Sequence, residues 1–284
     1  MIAPLLLALT IQPARLPQRA LWVWHGHPFI ESAKAREEFF AFLAAPKGNS
    51  ESRVNVIFLS RMGVEDPAKV KPIGDLIEEA HRKGIRVDYL CGDADYVTDK
   101  KRKEGLWELN YALTYNRSAA AGRQFDGIQY DVEPYMLPGW PSATLRAQYL
   151  DFLTVCRTKI KTSGQPLKLG VAIPRWFDAK DLNGLYKEVL NRVDYVAVMD
   201  YVDNSKAFVD DAKNTVAYAT EHGKDVWLGA EATELKDEPM ATFYQKGNAA
   251  MEDAFRSADE AFKSQKGYAG VAVEYYETYR ALRP

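Results

Sequence analysis

Two carboxylates stand one residue apart in the segment FDGIQYDVE, residues 125–133: Asp131 and Glu133. If this segment is a strand, alternate side chains share a face. Gly127, Gln129, Asp131 and Glu133 then lie on one face, and Ile128, Tyr130 and Val132 on the other. The apolar face suits packing against helices. The polar face is costly to bury unless its groups are paired or used. By strand rise the two carboxylates lie about 7 Å apart. At that range one pKa of the pair should rise, which a general acid near neutral pH requires. An Asp-x-Glu pair alone is also what a solvated strand edge looks like. The inward ladder Gln129-Asp131-Glu133, followed by the aromatic loop PYMLPGWP at 134–141, is what points to a cleft.

Further acids end other apolar runs. Glu231 closes WLGAE, with Gly229 on its face, and Glu274 closes YAGVAVE, with Ala272 and Gly270 on its face. Asp200 ends a third run, so the three are expected to ring one mouth. For Glu231 and Glu274 the competing expectation is a structural ion pair, with Arg175 as the candidate partner. Aromatic rings pack on the apolar faces of pyranoses; the candidates are Trp22, Trp24, Trp140, Trp176 and Tyr276, of which Trp22 and Trp24 could simply fill a core. His25-Gly26-His27 has the His-x-His look of a metal site. The remaining histidines, His81 and His222, fall in predicted helices, so the convergent ligands of a divalent metal are missing. His25 is instead expected at the rim of a sugar site or in loop hydrogen bonds.

These residues need a scaffold that gathers strand ends. Predicted strands are 21–25, 53–60, 85–91, 125–133, 167–174, 193–201, 225–231 and 268–274. Amphipathic stretches lie between them, with apolar residues three and four apart at 32–45, 67–83 and 142–162. Gly84 and Gly223 stand where helices end before a strand. Alternation of strand and helix predicts a parallel sheet covered by helices. Eight such units in 284 residues predict an α/β fold, a single (β/α)8 TIM barrel. A doubly wound open sheet is the rival, but no Gly-rich phosphate loop follows the first strand, WVWHGHPF. In a barrel, active sites sit at the C-terminal strand ends, where Asp131 and Glu133 fall.

The segment FDGIQYDVE resembles the strand signature of the family 18 glycoside hydrolases, the chitinases and their relatives: Asp-Gly-x-Asp-x-Asp-x-Glu after a hydrophobic residue. Phe125, Asp126, Gly127, Asp131 and Glu133 match, and Gln129 stands where the family has its middle Asp. The resemblance implies that Glu133 protonates the leaving glycosidic oxygen. It implies that Asp131 orients a substrate acetamido group acting as nucleophile. Met199-Asp200-Tyr201 is similar to the family's Met-x-Tyr-Asp, so Tyr201 carries over as a supporting hydroxyl. The Asp after it does not, since Val202 follows. The family's strand-eight Trp has no counterpart in Glu274-Tyr275-Tyr276. A second layout, with an acid Glu before Pro on strand four and a nucleophile Glu on strand seven, fits Glu133-Pro134 and Glu231 loosely. That group has Asn where Val132 stands, and its two carboxyls lie about 5 Å apart.

The expected function is therefore a glycosidase acting on a β-linked poly- or oligosaccharide, with or without N-acetyl groups. Glu133 would be the general acid/base, Asp131 the orienting carboxylate and Gln129 a supporting hydrogen-bond partner. A non-catalytic carbohydrate-binding barrel is the alternative from another class. Chitinase-like lectins lose the acid Glu, which this chain keeps. No cofactor is implied. A net charge of −2 with no basic stripe gives no footprint for nucleic acid. Cys91 and Cys156 cannot form a disulfide scaffold. Residues 1–19 precede the barrel. Their apolar run at 5–9 is too short to span a bilayer. It fits the centre of a secretory signal peptide without the usual basic start or small-x-small cleavage site. Otherwise it packs across the bottom of the domain. The first reading places the protein outside the cytoplasm, secreted or periplasmic; the second places it in the cytoplasm.

Overall fold

The computed structural model describes residues 18–60 and 62–284. The N-terminal apolar run lies outside the described residues. Eight strands follow in order: β1 Gln18–Val23, β2 Val56–Leu59, β3 Arg86–Cys91, β4 Gly127–Tyr130, β5 Lys168–Pro174, β6 Tyr195–Met199, β7 Asp225–Glu231 and β8 Tyr268–Glu274. Each pairs in parallel with the next, and β8 pairs with β1, so the sheet closes into a barrel. The expected (β/α)8 architecture is the one observed.

Periodicity explains the layers. Leu21, Val23, Ile57, Leu59, Ile128 and Tyr130 point outward and pack under the helices. Ala20, Trp22, Phe58, Leu90, Tyr195 and Trp227 point inward and fill the barrel. The interior uses small residues opposite large ones. A Cβ on Gly170 would lie 1.9 Å from the Tyr195 ring. That ring occupies the space a β5 side chain would otherwise take. Trp22 is 1% exposed and is interior filling, not a sugar platform.

The amphipathic stretches at 32–45, 67–83 and 142–162 contain the helices Ala33–Ala44, Val70–Arg82 and Ala143–Ser163. Gly84 and Gly223 take positive φ, 71° and 63°, as helix-ending glycines do. The helix Arg102–Ser118 was not singled out by periodicity, because polar residues interrupt its apolar stripe. Both cysteines are buried and free. Among the described residues, no helix is long and apolar enough to cross a membrane.

One polar layer inside the barrel escaped the sequence reading. Arg86 forms a two-point ion pair with the fully buried Asp88, whose carboxylate also accepts from the Tyr195 hydroxyl at 2.6 Å. A Cβ on Gly127 would meet that carboxylate at 2.6 Å. Asp126, part of the matched signature, serves this end of the barrel. It accepts from the Val87 amide at 2.8 Å and contacts His81 Nε2 at 2.9 Å. Its role is to tie β3 and a helix to β4, away from the mouth.

Candidate active site

Strand pairing of β4 stops at Tyr130, and the next three residues lead out of the strand to a short helical turn at Pro134–Met136. Val132 remains in the outer core, so the alternation holds and Asp131 and Glu133 face the mouth. The backbone of Asp131 is fixed by a hydrogen bond from its amide to Cys91 O, 2.8 Å. Gly92 makes this approach possible. A Cβ there would lie 2.0 Å from the Asp131 carbonyl oxygen.

The Asp131 carboxyl is pushed up to about 7, first by burial and then by the charge of Glu133. Its Oδ1 has no protein partner. The Tyr135 hydroxyl, two residues on, donates to Glu133 Oε2. Below them Gln129 is fully buried with neither side-chain polar atom partnered. Gln129, expected as a supporting hydrogen-bond partner, therefore makes no side-chain hydrogen bond to another described residue.

Glu231 and Glu274 complete the ring from the far side. They are register partners at the ends of β7 and β8. Glu274 Oε1 accepts from the Trp24 indole N–H at 2.7 Å, and Glu231 Oε1 accepts from the Thr233 amide at 2.6 Å. Burial pushes the Glu274 carboxyl well up, and Asp131 adds to the effect. Burial also raises Glu231, against the donors of its own turn. The Tyr201 phenol is held far above its ordinary value by burial, then by the charges of Glu274, Glu231, Asp131 and Glu133. Tyr201 thus sits where all four acids act.

Other expected residues fall elsewhere. Asp200 is on the outward parity of β6; the charges acting on it are Asp211, Arg175 and Asp178. Arg175 pairs with Asp211 at 2.5 Å, so it does not reach Glu231 or Glu274. Tyr276 is buried against Phe29, Phe39 and Phe42 in the outer core. Its neighbour Tyr275 packs on the interior cluster beside Trp24. His25 is exposed at the rim, 3.3 Å from Glu277 and against the Tyr275 ring. His27 points to Glu31 at 3.9 Å. Trp176 is 40% exposed and meets the Tyr135 ring edge-on, next to Glu133. Trp140 stacks on Phe177 and is half-buried.

Sequence reasoning missed three participants. Tyr135 lies in the aromatic loop and could have been read from its distance of two residues to Glu133. Tyr275 was passed over because periodicity does not show which of two adjacent tyrosines turns inward. Glu108 was missed because it lies on a helix far from any strand end. It lines a cavity of about 370 Å3 beside the ring, with Trp24, Gly92, Tyr96 and Trp107 among its walls. A larger cleft, about 570 Å3, opens at the opposite end around His81, Arg86 and Asp126, away from the four acids.

No family model matches the chain, and no curated protein matches it in sequence. Solved structures do match in fold. A GH18 chitinase from Pseudoalteromonas aurantia aligns over 93% of this chain and 98% of its own, with TM-score 0.61 and 11% identity. A chitinase from Bacteroides thetaiotaomicron aligns over 93% and 91%, with TM-score 0.56 and 14% identity. A GH10 endoxylanase from a sugarcane soil metagenome aligns over 91% and 86%, with TM-score 0.57 and 10% identity. The chain is similar in fold to chitinases and related barrel glycosidases along nearly its whole length.

Proposed function

We propose that this protein is a glycoside hydrolase acting on a β-linked poly- or oligosaccharide. Glu133 is the general acid/base that protonates the leaving oxygen. Asp131 orients the group that attacks the anomeric carbon, and the Tyr201 hydroxyl supports it. The observation that carries this reading is the Asp131–Glu133 pair: one carboxyl recessed and raised, the other held by the Tyr135 hydroxyl at the mouth. Two carboxyls in unlike surroundings can divide proton donation from charge stabilisation.

The steps follow from the positions. A glycan enters over Trp176 and Tyr135, and its scissile oxygen meets Glu133. As the bond to the leaving group breaks, Glu133 gives up its proton. Positive charge grows on the ring carbon, and the acids across the mouth stabilise it. A substrate acetamido oxygen can close on that carbon, with its N–H held by Asp131. Water activated by the Glu133 carboxylate then completes hydrolysis. The keeping of Glu133 favours this over a purely binding barrel.

The test is hydrolysis of a β-glycan panel, acetylated and not, by wild type and Glu133→Gln. Loss of a general acid costs about 10²–10⁴-fold in rate. Cleavage by wild type with that loss in the variant supports the reading. Binding of the same glycans by both proteins with no cleavage by either refutes it.

A further inference from the structure

At the end of the barrel opposite the mouth, both ring nitrogens of one histidine are committed. His81 is partly buried near the end of the helix Val70–Arg82. Its Nδ1 stands 2.8 Å from Gly122 O, and its Nε2 stands 2.9 Å from Asp126 Oδ2. Gly122 belongs to the connection between the helix Arg102–Ser118 and β4, and Asp126 immediately precedes β4. A peptide carbonyl can only accept. The Asp126 oxygen already accepts from the Val87 amide at 2.8 Å. A neutral imidazole carries one N–H and an imidazolium carries two. Two hydrogen bonds to two acceptors therefore require the doubly protonated ring.

The surroundings favour the same state. The hydrogen bond to Asp126 raises the His81 ring above its ordinary value; burial opposes this, while the Asp126 charge and the Gly122 carbonyl add to the rise. The other charges at this cleft have carboxylates of their own: Arg86 on β3 pairs with Asp88, and Lys168 on β5 faces Asp225 at 3.6 Å. On the helix of His81, Asp75 and Glu78 are both taken by Arg123, one residue beyond Gly122. Arg53, Arg82 and Lys83 line a separate cleft with Phe40.

We propose that His81 is a proton-operated clasp: with two protons it locks the helix Val70–Arg82 to the connection that enters β4, and with one it lets that connection loosen and the cleft beneath the barrel widen. A ring that has lost one proton keeps a single N–H and turns a lone pair toward either Gly122 O or Asp126 Oδ2. One attraction becomes a repulsion. Arg123 keeps both its carboxylates, and the Asn116 side chain keeps the Phe125 carbonyl and amide at 2.7 and 2.8 Å, so the opening is local. The folded ring holds its proton more tightly than the unfolded one. The clasp is therefore complete below about pH 6.5 and is lost as pH rises through the higher folded value. The strand it steadies leads to Asp131 and Glu133 at its other end, and the clasp acts whatever reaction those carboxylates perform.

The experiment is an NMR titration of the imidazole nitrogens in the whole 15N-labelled protein from about pH 5 to about pH 9, the range in which histidine changes charge. The His81 signals are those missing from His81→Gln; where that variant does not fold, through-bond correlation to the His81 backbone assigns them. In wild type most molecules should carry both ring protons at about pH 6.5, with a midpoint above that value. In Asp126→Asn the midpoint should fall, because the amide removes the charge and offers Nε2 a donor. The protection of the Val87 amide against hydrogen exchange, corrected for the intrinsic rate, should drop about tenfold or more as pH passes the wild-type midpoint, as loss of one charge-assisted hydrogen bond implies. It should stay level in His81→Gln.

A wild-type midpoint at or below about 6.5 overturns the proposal, since the ring is then not held doubly protonated. So does a midpoint unchanged in Asp126→Asn. Protection of Val87 that stays level through the wild-type midpoint overturns it as well, because the proton then holds nothing shut.

Discussion

Gly92 and Asp131 touch backbone to backbone: a Cβ added at Gly92 would lie 2.0 Å from the Asp131 carbonyl oxygen and 2.9 Å from its Cβ. The end of β3 therefore sets where the central carboxylate of the mouth can sit. Gly92→Ala must push this backbone aside. Overpacking of this kind costs about 1–3 kcal/mol, a fall of several degrees in Tm. A displacement of about 1 Å at Asp131 costs on the order of 10²-fold in kcat. Calorimetry and kinetics on the variant check both. An unchanged Tm and rate would mean that the contact does not position Asp131.

The raised Asp131 carboxyl should appear in the pH profile. Its ionisation at about 7 is set by burial and by Glu133, with Glu274, Tyr201 and Tyr149 also close enough for charge to act between them. The profile of kcat/KM reports groups of the free enzyme. A limb near pH 7 is expected in wild type and should be absent in Asp131→Asn. A limb that survives the substitution belongs to another group.

Asp200 offers a stability test apart from catalysis. Burial pushes its carboxyl up to about 8, and neither oxygen has a protein partner. The unfolded chain ionises this group near pH 4. Between those values the folded state binds more protons than the unfolded, so stability falls as pH rises. Its contribution is intact below about pH 4 and lost by about pH 8. Asp200→Asn should therefore melt at least about 3 °C higher than wild type at pH 9 and nearly equal to it at pH 4. Equal melting at both pH values would contradict the burial of an unpaired charge.

The barrel was legible because its two periodicities differ. Strand alternation in FDGIQYDVE separated the outer core from the mouth, and the spacing of Ile73, Leu76, Ile77 and Ala80 marked a helix. Glu231 and Glu274 were readable as strand-end acids for the same reason. Asp200 was not, because two adjacent residues at a strand end both look like mouth residues until register assigns one of them outward. The Arg86–Asp88–Tyr195 layer was hidden because its members come from two strands far apart in sequence. The Gln129 amide could be placed on a face by alternation, but its hydrogen bonds depend on neighbouring strands, which a single segment does not show.

The role of Glu133 as proton donor is the centre of the account, and leaving-group dependence tests it most directly. Wild type and Glu133→Gln would be compared on one sugar carrying either its natural sugar leaving group or a dinitrophenolate that departs without a proton. The account predicts a loss of about 10²–10⁴-fold on the natural linkage, shrinking to less than about tenfold on the dinitrophenyl glycoside. An equal loss on both substrates, or none on the natural linkage, would contradict it.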